Sequence, residues 1–373
     1  MSPSVREAEV MTVSPDEVVV TFVTEPGVAV ASQVGSVEVT TVGPNHFARF
    51  DGLQPGTEYS VFVDGAAPSE FLPASLQTLE VPAGRPLATI ATVNDVHFGE
   101  FECGKLDGVM EEELGPVLRS LPGEAPYPET MNRSAIAEIE SLDPDVVLVK
   151  GDLTNLGTEA EYAAFLAAYG QLGDRMRHVR GNHDAMLDAT MALQGAPFAI
   201  DVGGATLAVI DTVQPGIERG QITVPQLHWL DDLAASVTGP VLVFGHHHLW
   251  DLDASDRSGE YFGINPDDSE AFGAVVSARE NIVGYFAGHT HRNRVRRSAR
   301  ARYVPFVEVS ATKDYPGVWA EYQIYEHGFT QVVHRISAPK ALVWTERTRP
   351  MFAGLYRAYA LGPLAERCFT ETW

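Results

Sequence analysis

Cysteine is scarce in this chain. Among 373 residues there are two, Cys103 and Cys368, far apart and in no CxxC pair. That excludes a disulfide framework and suits a reducing compartment. Basic residues are also few, 26 Lys and Arg against 50 Asp and Glu, for a formal net charge of −24. So acidic a surface repels polyanions, which argues against nucleic-acid polymers and anionic membranes as partners. It would repel a small anionic ligand too, unless bound cations reversed the potential locally. No apolar run approaches the length of a membrane span. The first ten residues set Arg6 among Glu and Ser with no apolar stretch behind them, so a secretory leader is not expected and a cytoplasmic location is. Internal repeats, low-complexity segments, a Gly-rich Walker loop and a Ser-His-Asp pattern are missing as well.

What is present is an ordinary globular composition, 45% apolar, in a length that suits one large domain and a small one. Residues 8 to about 82 read as short, evenly spaced strands: 17–23 rich in β-branched residues, 36–42 alternating, then 47–50 and 52–63. That spacing predicts a small all-β sandwich over residues 1–83, with 81–86 as the linker. From Leu87 the pattern changes. Apolar runs at 88–93, 145–149, 177–180, 207–210, 241–244 and 282–286 alternate with helical stretches such as 134–142 and 159–172. Continuous apolar strands separated by helices predict an α/β layered core over 84–373. A strand is expected at 319–325 and an amphipathic terminal helix at 351–367.

Five strand ends carry residue types that bind metals: Asp95 with His97, Asp152, Asn182 with His183, His246, and His289 with His291. One polar strand end is ordinary, because polar residues cap loops everywhere. Five in succession, each past an apolar strand, are not, and ligands gather at carboxyl ends of strands in such sheets. Asp and His suit Fe, Mn, Zn or Co. Glycines at 151, 181, 245 and 288 would let the backbone turn where a Cβ would obstruct.

The series Asp95-Val96-His97, Gly151-Asp152, Gly181-Asn182-His183-Asp184, Gly245-His246 and Gly288-His289-Thr290-His291 resembles the calcineurin-like metallophosphoesterase signature, in that family's order. The resemblance implies an α/β fold, a layered β-sandwich flanked by helices, here preceded by the small all-β domain. It implies two transition-metal ions, with Asp95, His97 and His291 on one, Asn182, His246 and His289 on the other, and Asp152 bridging. It makes His183 a catalytic histidine beside the substrate, oriented by Asp184. The implied reaction is phosphoester hydrolysis by a hydroxide held between the ions.

Purple acid phosphatases also place a fibronectin-like domain first, but their pattern needs a tyrosine where Asn155 stands and lacks a histidine at 97. The motifs look more like the bacterial class III cyclic nucleotide phosphodiesterases and related glycerophosphodiesterases. A small phosphodiester, foremost a cyclic nucleotide, is the expected substrate. A phosphomonoester is the alternative, and a non-catalytic metal-binding interaction protein a remote one. At the amino terminus, Leu53, Pro55-Gly56 and Tyr59 resemble the corner of a fibronectin type III domain.

Some positions stay open. His248 stands where the family usually has proline, and the ligand after Gly245 is His246 or His247. Residues 98–130 are a lid or a surface loop, and 249–272 form a polar insertion near the site. Arginines at 292, 294 and 296 alternate, so Arg292 and His248 are candidate substrate contacts, or the stripe pairs internally. With every ligand candidate past the linker, a chain starting near Leu87 is expected to keep its metals.

Overall fold

The computed structural model describes residues 4–105, 114–257 and 261–373. Seven strands come first: β1 Arg6–Val13, β2 Glu17–Val23, β3 Ala29–Val34, β4 Val37–Val42, β5 Asn45–Asp51, β6 Glu58–Val63 and β7 Ser75–Gln77. They form two antiparallel sheets, β1-β2-β5 and β4-β3-β6-β7. The Tyr59 hydroxyl closes a corner by accepting from the Gln54 N–H at 2.8 Å.

The remainder runs β8 Pro86–Val93, α1 Tyr127–Leu142, β9 Val146–Lys150, α2 Glu159–Tyr169, β10 Met176–Val179, β11 Phe198–Val202, β12 Ala205–Val209, α3 Val224–Ser236, β13 Val241–Phe244, α4 Pro266–Ala278, β14 Ile282–Ala287, β15 Arg294–Arg296, β16 Phe306–Glu308, β17 Val318–Tyr325, β18 Gly328–Arg335, α5 Pro339–Thr348, α6 Tyr356–Leu361, α7 Leu364–Arg367 and β19 Phe369–Thr372. Two mixed sheets result, β10-β9-β8-β17-β18-β19 and β11-β12-β13-β14-β16-β15. Strand periodicity explains how they stack. Leu242 and Phe244 of β13 face the first sheet, where Phe244 and Phe286 meet Tyr322 at 6.1 and 4.8 Å between ring centroids. Their neighbours Val241 and Val243 face outward onto Leu227 and Leu230 of α3 and Phe272 and Val276 of α4. The layered α/β fold is therefore the observed one.

The expected terminal helix is broken. Gly354 at φ 87° and the Gly362-Pro363 step divide residues 351–367 into α6, α7 and a short 3₁₀ turn; proline cannot continue a helix. Part of the possible lid at 98–130 falls on residues 106–113, outside the described residues. Among the described residues, no helix is long and apolar enough to cross a membrane.

The amino-terminal sheets are tied to the rest more firmly than a linker at 81–86 suggests. One apolar cluster runs from Val20 and Phe50 through to Ile90 and Tyr322. Inside it lies Glu9, fully buried, which accepts from Arg335, Arg349, Arg357 and the Tyr315 hydroxyl. Cutting near Leu87 would strip Arg335 and Arg349 of this counter-ion, so the cost of truncation is larger than strand spacing alone implies.

Burial alone would raise the Glu9 carboxyl, but the Arg349, Arg335 and Arg357 guanidiniums hold it down to about 2. A carboxylate depressed on folding contributes stability above its unfolded value near 4.5 and loses it as pH falls towards 2. Glu9→Gln, which leaves the buried Arg335 and Arg349 and the half-buried Arg357 short of a counter-charge, is expected to cost about 3–5 kcal/mol at neutral pH. It should also flatten the acid-induced loss of stability over that window, as read by urea unfolding at a series of pH values. Equal stability of variant and wild type throughout would remove the network from the fold.

Candidate metal centre

All five chemistry-bearing strand ends converge on one place. Asp95 and His97 follow β8, Asp152 follows β9 and Asn182 follows β10, three parallel neighbours in the first sheet. His246 follows β13, and His289 and His291 follow β14, parallel neighbours in the second. The local backbone is unusual. Asp95, His97, Asp152, His289 and His291 all have positive φ, between 45° and 69°. Such left-handed conformations are costly for residues with a Cβ and collect at functional sites.

Asp152 is the centre. Its Oδ2 lies 3.5 Å from His97 Nε2 and its Oδ1 3.3 Å from His246 Nε2. Asn182 Oδ1 joins the second side, 3.2 Å from His246 Nε2. On the first side Asp95 Oδ1 is 3.5 Å from His291 Nε2. Asp95, His97 and His291 thus form one compact donor group, and Asp95, Asp152 and His246 another. The structure brings together all seven residues that the motifs single out.

Three backbone carbonyls decide which ring nitrogens face inward. A carbonyl can only accept, so the nitrogen against it must carry the proton. His246 donates from Nδ1 to the Lys150 carbonyl at 2.9 Å, leaving Nε2 toward Asp152. His289 donates from Nε2 to the Phe262 carbonyl at 2.9 Å, and the Phe262 ring stacks on its imidazole with centroids 4.0 Å apart. His183 donates from Nδ1 to the Asn155 carbonyl at 2.7 Å, leaving Nε2 free, with its ring edge-on to His97 at 4.6 Å. None of these partners could be found by residue type, because any residue offers a carbonyl.

His247 is accounted for differently. Its Nδ1 meets the Thr212 hydroxyl at 2.8 Å and its Nε2 donates to the Glu218 carbonyl at 3.0 Å. It lies close enough to His246 and His289 to count as a possible donor, but both nitrogens are already engaged. That favours His246 as the donor after Gly245.

The expected role of Asp184 is corrected. Its carboxylate does not meet the His183 ring; it accepts from the backbone N–H groups of Leu153, Thr154 and Gly181 and from the Thr154 hydroxyl, at 2.6–3.1 Å. It clamps the Asp152 loop to the Asn182 loop. Burial and the nearby Asp152 charge raise it to about 6 despite those four donors.

The arginine stripe is largely partnered within the protein. Arg292 donates to Glu308 at 2.9 Å and lies over the Tyr359 ring, while Arg296 approaches the same carboxylate and the Leu249 carbonyl. Arg302 binds the carbonyls of Val276, Arg279 and Ile282. Arg294 has no ion pair among the described residues. His248 stacks near His289 at 6.1 Å, and its buried Nδ1 has no hydrogen bond among the described residues.

The donor set fits metal ions. His97 is 2% exposed, and neither ring nitrogen has a hydrogen-bond partner among the described residues. Two polar atoms buried so would be costly unless something else bound them. Burial alone would raise the Asp152 carboxyl, yet the His246, His183 and His97 imidazoles hold it well below its ordinary value. Lys150 lies beneath, donating to the Ala287 carbonyl at 2.8 Å, its amine lowered to about 7 by burial although Asp95 opposes this.

A mixed layered fold with Asp and His donors at its strand ends is the anatomy of a metal-dependent phosphoesterase. The calcineurin-like phosphoesterase family model matches residues 88–293, more than half of the chain, and the chain belongs to that family. Several curated relatives are named as phosphodiesterases. A Synechococcus sp. protein named "Probable cyclic nucleotide phosphodiesterase" is 24% identical over 163 residues, covering 43% of this chain and 62% of the relative. The glycerophosphodiester phosphodiesterase of Enterobacter lignolyticus is 26% identical over 216 residues, 54% of this chain and 70% of the relative. A cAMP/cGMP dual specificity phosphodiesterase of Mycobacterium tuberculosis is 27% identical over 161 residues, 40% of this chain and 49% of the relative. The match thus spans about half to two thirds of the length of these relatives.

Gly181 supplies a test of how tightly the donors are packed. A Cβ there would lie 2.2 Å from Asp152 Oδ1, 2.3 Å from the Asp152 backbone nitrogen and 2.8 Å from His246 Nε2. Gly181→Ala must push the Asp152 loop aside, backbone as well as carboxylate, so the variant is expected to hold metal at least about 10-fold more weakly, the scale of a displaced ligand support. Elemental analysis after a chelator wash reads this directly. Wild-type metal retention would show that Asp152 does not need its present place.

Proposed function

We propose that this chain is a dinuclear-metal phosphodiesterase that hydrolyses a small phosphodiester, with a cyclic nucleotide as the leading substrate. The observation that carries the reading is Asp152, whose two oxygens face histidines from different sheets. Asp95, His97 and His291 would hold one ion, Asn182, His246 and His289 the other, and Asp152 both. Fe, Mn, Zn and Co all suit such donors. Bound there, the pair would polarise the phosphoryl oxygens and lower the pKa of water towards neutrality.

The chain's own residues do the rest. His183 holds its Nδ1 proton on the Asn155 carbonyl, so Nε2 is the atom that can carry a second proton to the leaving alkoxide. Asp184 keeps the loops of Asp152 and Asn182 in register. His248 and Arg292 are proposed to approach the substrate; with Arg292 already paired to Glu308, its effect would be a field rather than a direct clamp. The location is proposed to be cytoplasmic, with no nucleic-acid polymer or membrane as partner. The Enterobacter relative's name supports glycerophosphodiesters as the second reading.

Three outcomes are expected. Purified protein should carry two transition-metal ions, and Asp152→Ala should lose both; one ion still tightly held would end the bridging assignment. Bis-p-nitrophenyl phosphate should be hydrolysed with higher kcat/KM than p-nitrophenyl phosphate, and a cyclic nucleotide panel should include a better substrate than glycerophosphocholine. A preference for the monoester would leave the family membership intact but reject the diesterase reading. Finally, His183→Ala should keep two ions and a wild-type melting curve yet lose at least about 100-fold in kcat, about 2.7 kcal/mol, with a smaller loss for good leaving groups. Normal kcat towards a poor leaving group would remove His183 from the chemistry.

A further inference from the structure

The stretch Ser310 to Gly317 returns to the sheets beside the metal centre, and it holds a carboxylate that no motif picked out. His291 turns Nε2 towards Asp95; its other nitrogen, Nδ1, lies 3.8 Å from Asp314 Oδ2. That is an electrostatic separation rather than a hydrogen bond. Asp314 is 2% exposed and is itself held: Oδ1 accepts from the Tyr356 hydroxyl at 2.7 Å, and Oδ2 lies 3.7 Å from Cys103 Sγ and 3.8 Å from Lys313 Nζ. Lys313 is bound by both oxygens of Glu100, whose N–H donates to the His97 carbonyl at 3.0 Å. The loop of Asp95 and His97 is therefore tied to the loop of Asp314.

The next residue carries the tie outward. The Tyr315 N–H donates to the Thr348 hydroxyl of α5 at 3.0 Å, and its own hydroxyl donates to Glu9 of β1 at 2.9 Å. An unbroken run of contacts leads from the amino-terminal sheets through Glu9, Tyr315 and Asp314 to His291. His291 is also the candidate ligand with the least packing to hold it: its side chain is 22% exposed, against 0–3% for Asp95, His97 and Asp152.

We propose that Asp314 is a positioning residue that orients His291 for its metal ion, and that the amino-terminal sheets hold Asp314 in place through Glu9 and Tyr315. This rests on His291 being a ligand. A carboxylate behind a ligating imidazole fixes its orientation and raises its basicity, and losing such a partner typically lowers metal affinity about 10- to 100-fold. Asp314 belongs to a segment outside the matched family region of 88–293, so this support is separate from the motifs.

The test uses the loaded full-length protein, challenged with graded chelator and assayed for each ion by elemental analysis. Asp314→Asn keeps the shape and the Tyr356 bond but removes the charge. One of the two ions should leave at about 10- to 100-fold lower chelator concentration, the other should leave as in wild type, and the melting curve of the loaded protein should stay close to wild type. Tyr315→Phe, which cuts the bond to Glu9 while Asp314 itself is unsubstituted, lets the Asp314 segment shift and should weaken the same ion to a smaller degree. If Asp314→Asn fails to fold, Tyr356→Phe takes its place with the same expectation. Unchanged retention of both ions, or equal loss of both, overturns the proposal. A wild-type protein that never holds two ions would instead overturn the dinuclear reading on which it rests.

Discussion

Asp152 puts a negative charge where water cannot reach it. It is 2% exposed, past the end of a fully buried strand, and leaving a carboxylate there uncompensated would cost several kcal/mol. Much of the nearby architecture acts on that one charge. The His246 and His97 nitrogens come to 3.3 and 3.5 Å from its two oxygens, each from a different sheet. The His183 N–H donates to Oδ1 at 3.0 Å. Gly181 leaves the space it occupies, and Asp184 pulls the flanking loops together. The two sheets stack through Phe244, Phe286 and Tyr322, and the donors stand on the loops that follow their parallel strands.

The same loops show why a site of this kind needs a large scaffold. Five candidate ligands sit in left-handed backbone, a conformation each would leave if unsupported. Support comes from the sheets beneath, where Leu242, Phe244, Phe286 and Tyr322 interlock, and from hydrogen bonds to backbone carbonyls that set the tautomers of His183, His246 and His289. Below the centre Lys150 feels the Asp95 charge and bonds the strand that leads to His289. Metal binding would complete this balance, because the buried His97 imidazole has no hydrogen-bond partner among the described residues.

The amino-terminal sheets join that scaffold through charge as well as apolar contact. Glu9 is surrounded by three guanidiniums from the carboxyl-terminal third of the chain, residues distant in sequence that meet only in the folded state. Buried ion clusters of this kind add little net stability compared with apolar packing, but they specify which surfaces meet. Here they fix β1 against β18 and α5, close to Tyr315 and so to the segment that carries Asp314.

Read alone, the amino-acid sequence determined the α/β class and the positions of most strands, and it singled out the seven candidate donors that the fold brings together. Period-2 and continuous apolar patterns are local, and so is a motif such as Gly181-Asn182-His183-Asp184, so each survives in one dimension. The run 241–244 is a strand in both readings, to the residue. What the sequence could not carry was anything decided by contact at long range. His246 and His247 are the same residue type side by side, and only Thr212 and the Glu218 carbonyl, which occupy His247, tell them apart. Sequence adjacency pairs Asp184 with His183, but its carboxylate turns to Leu153 and Thr154, brought near by the pairing of β9 with β10. The carbonyls of Asn155, Lys150 and Phe262 bear no side-chain signature at all. Tertiary structure alone decided these, because hydrogen-bond direction and the burial of charge depend on which strands lie side by side, and that follows from the packing of the whole chain.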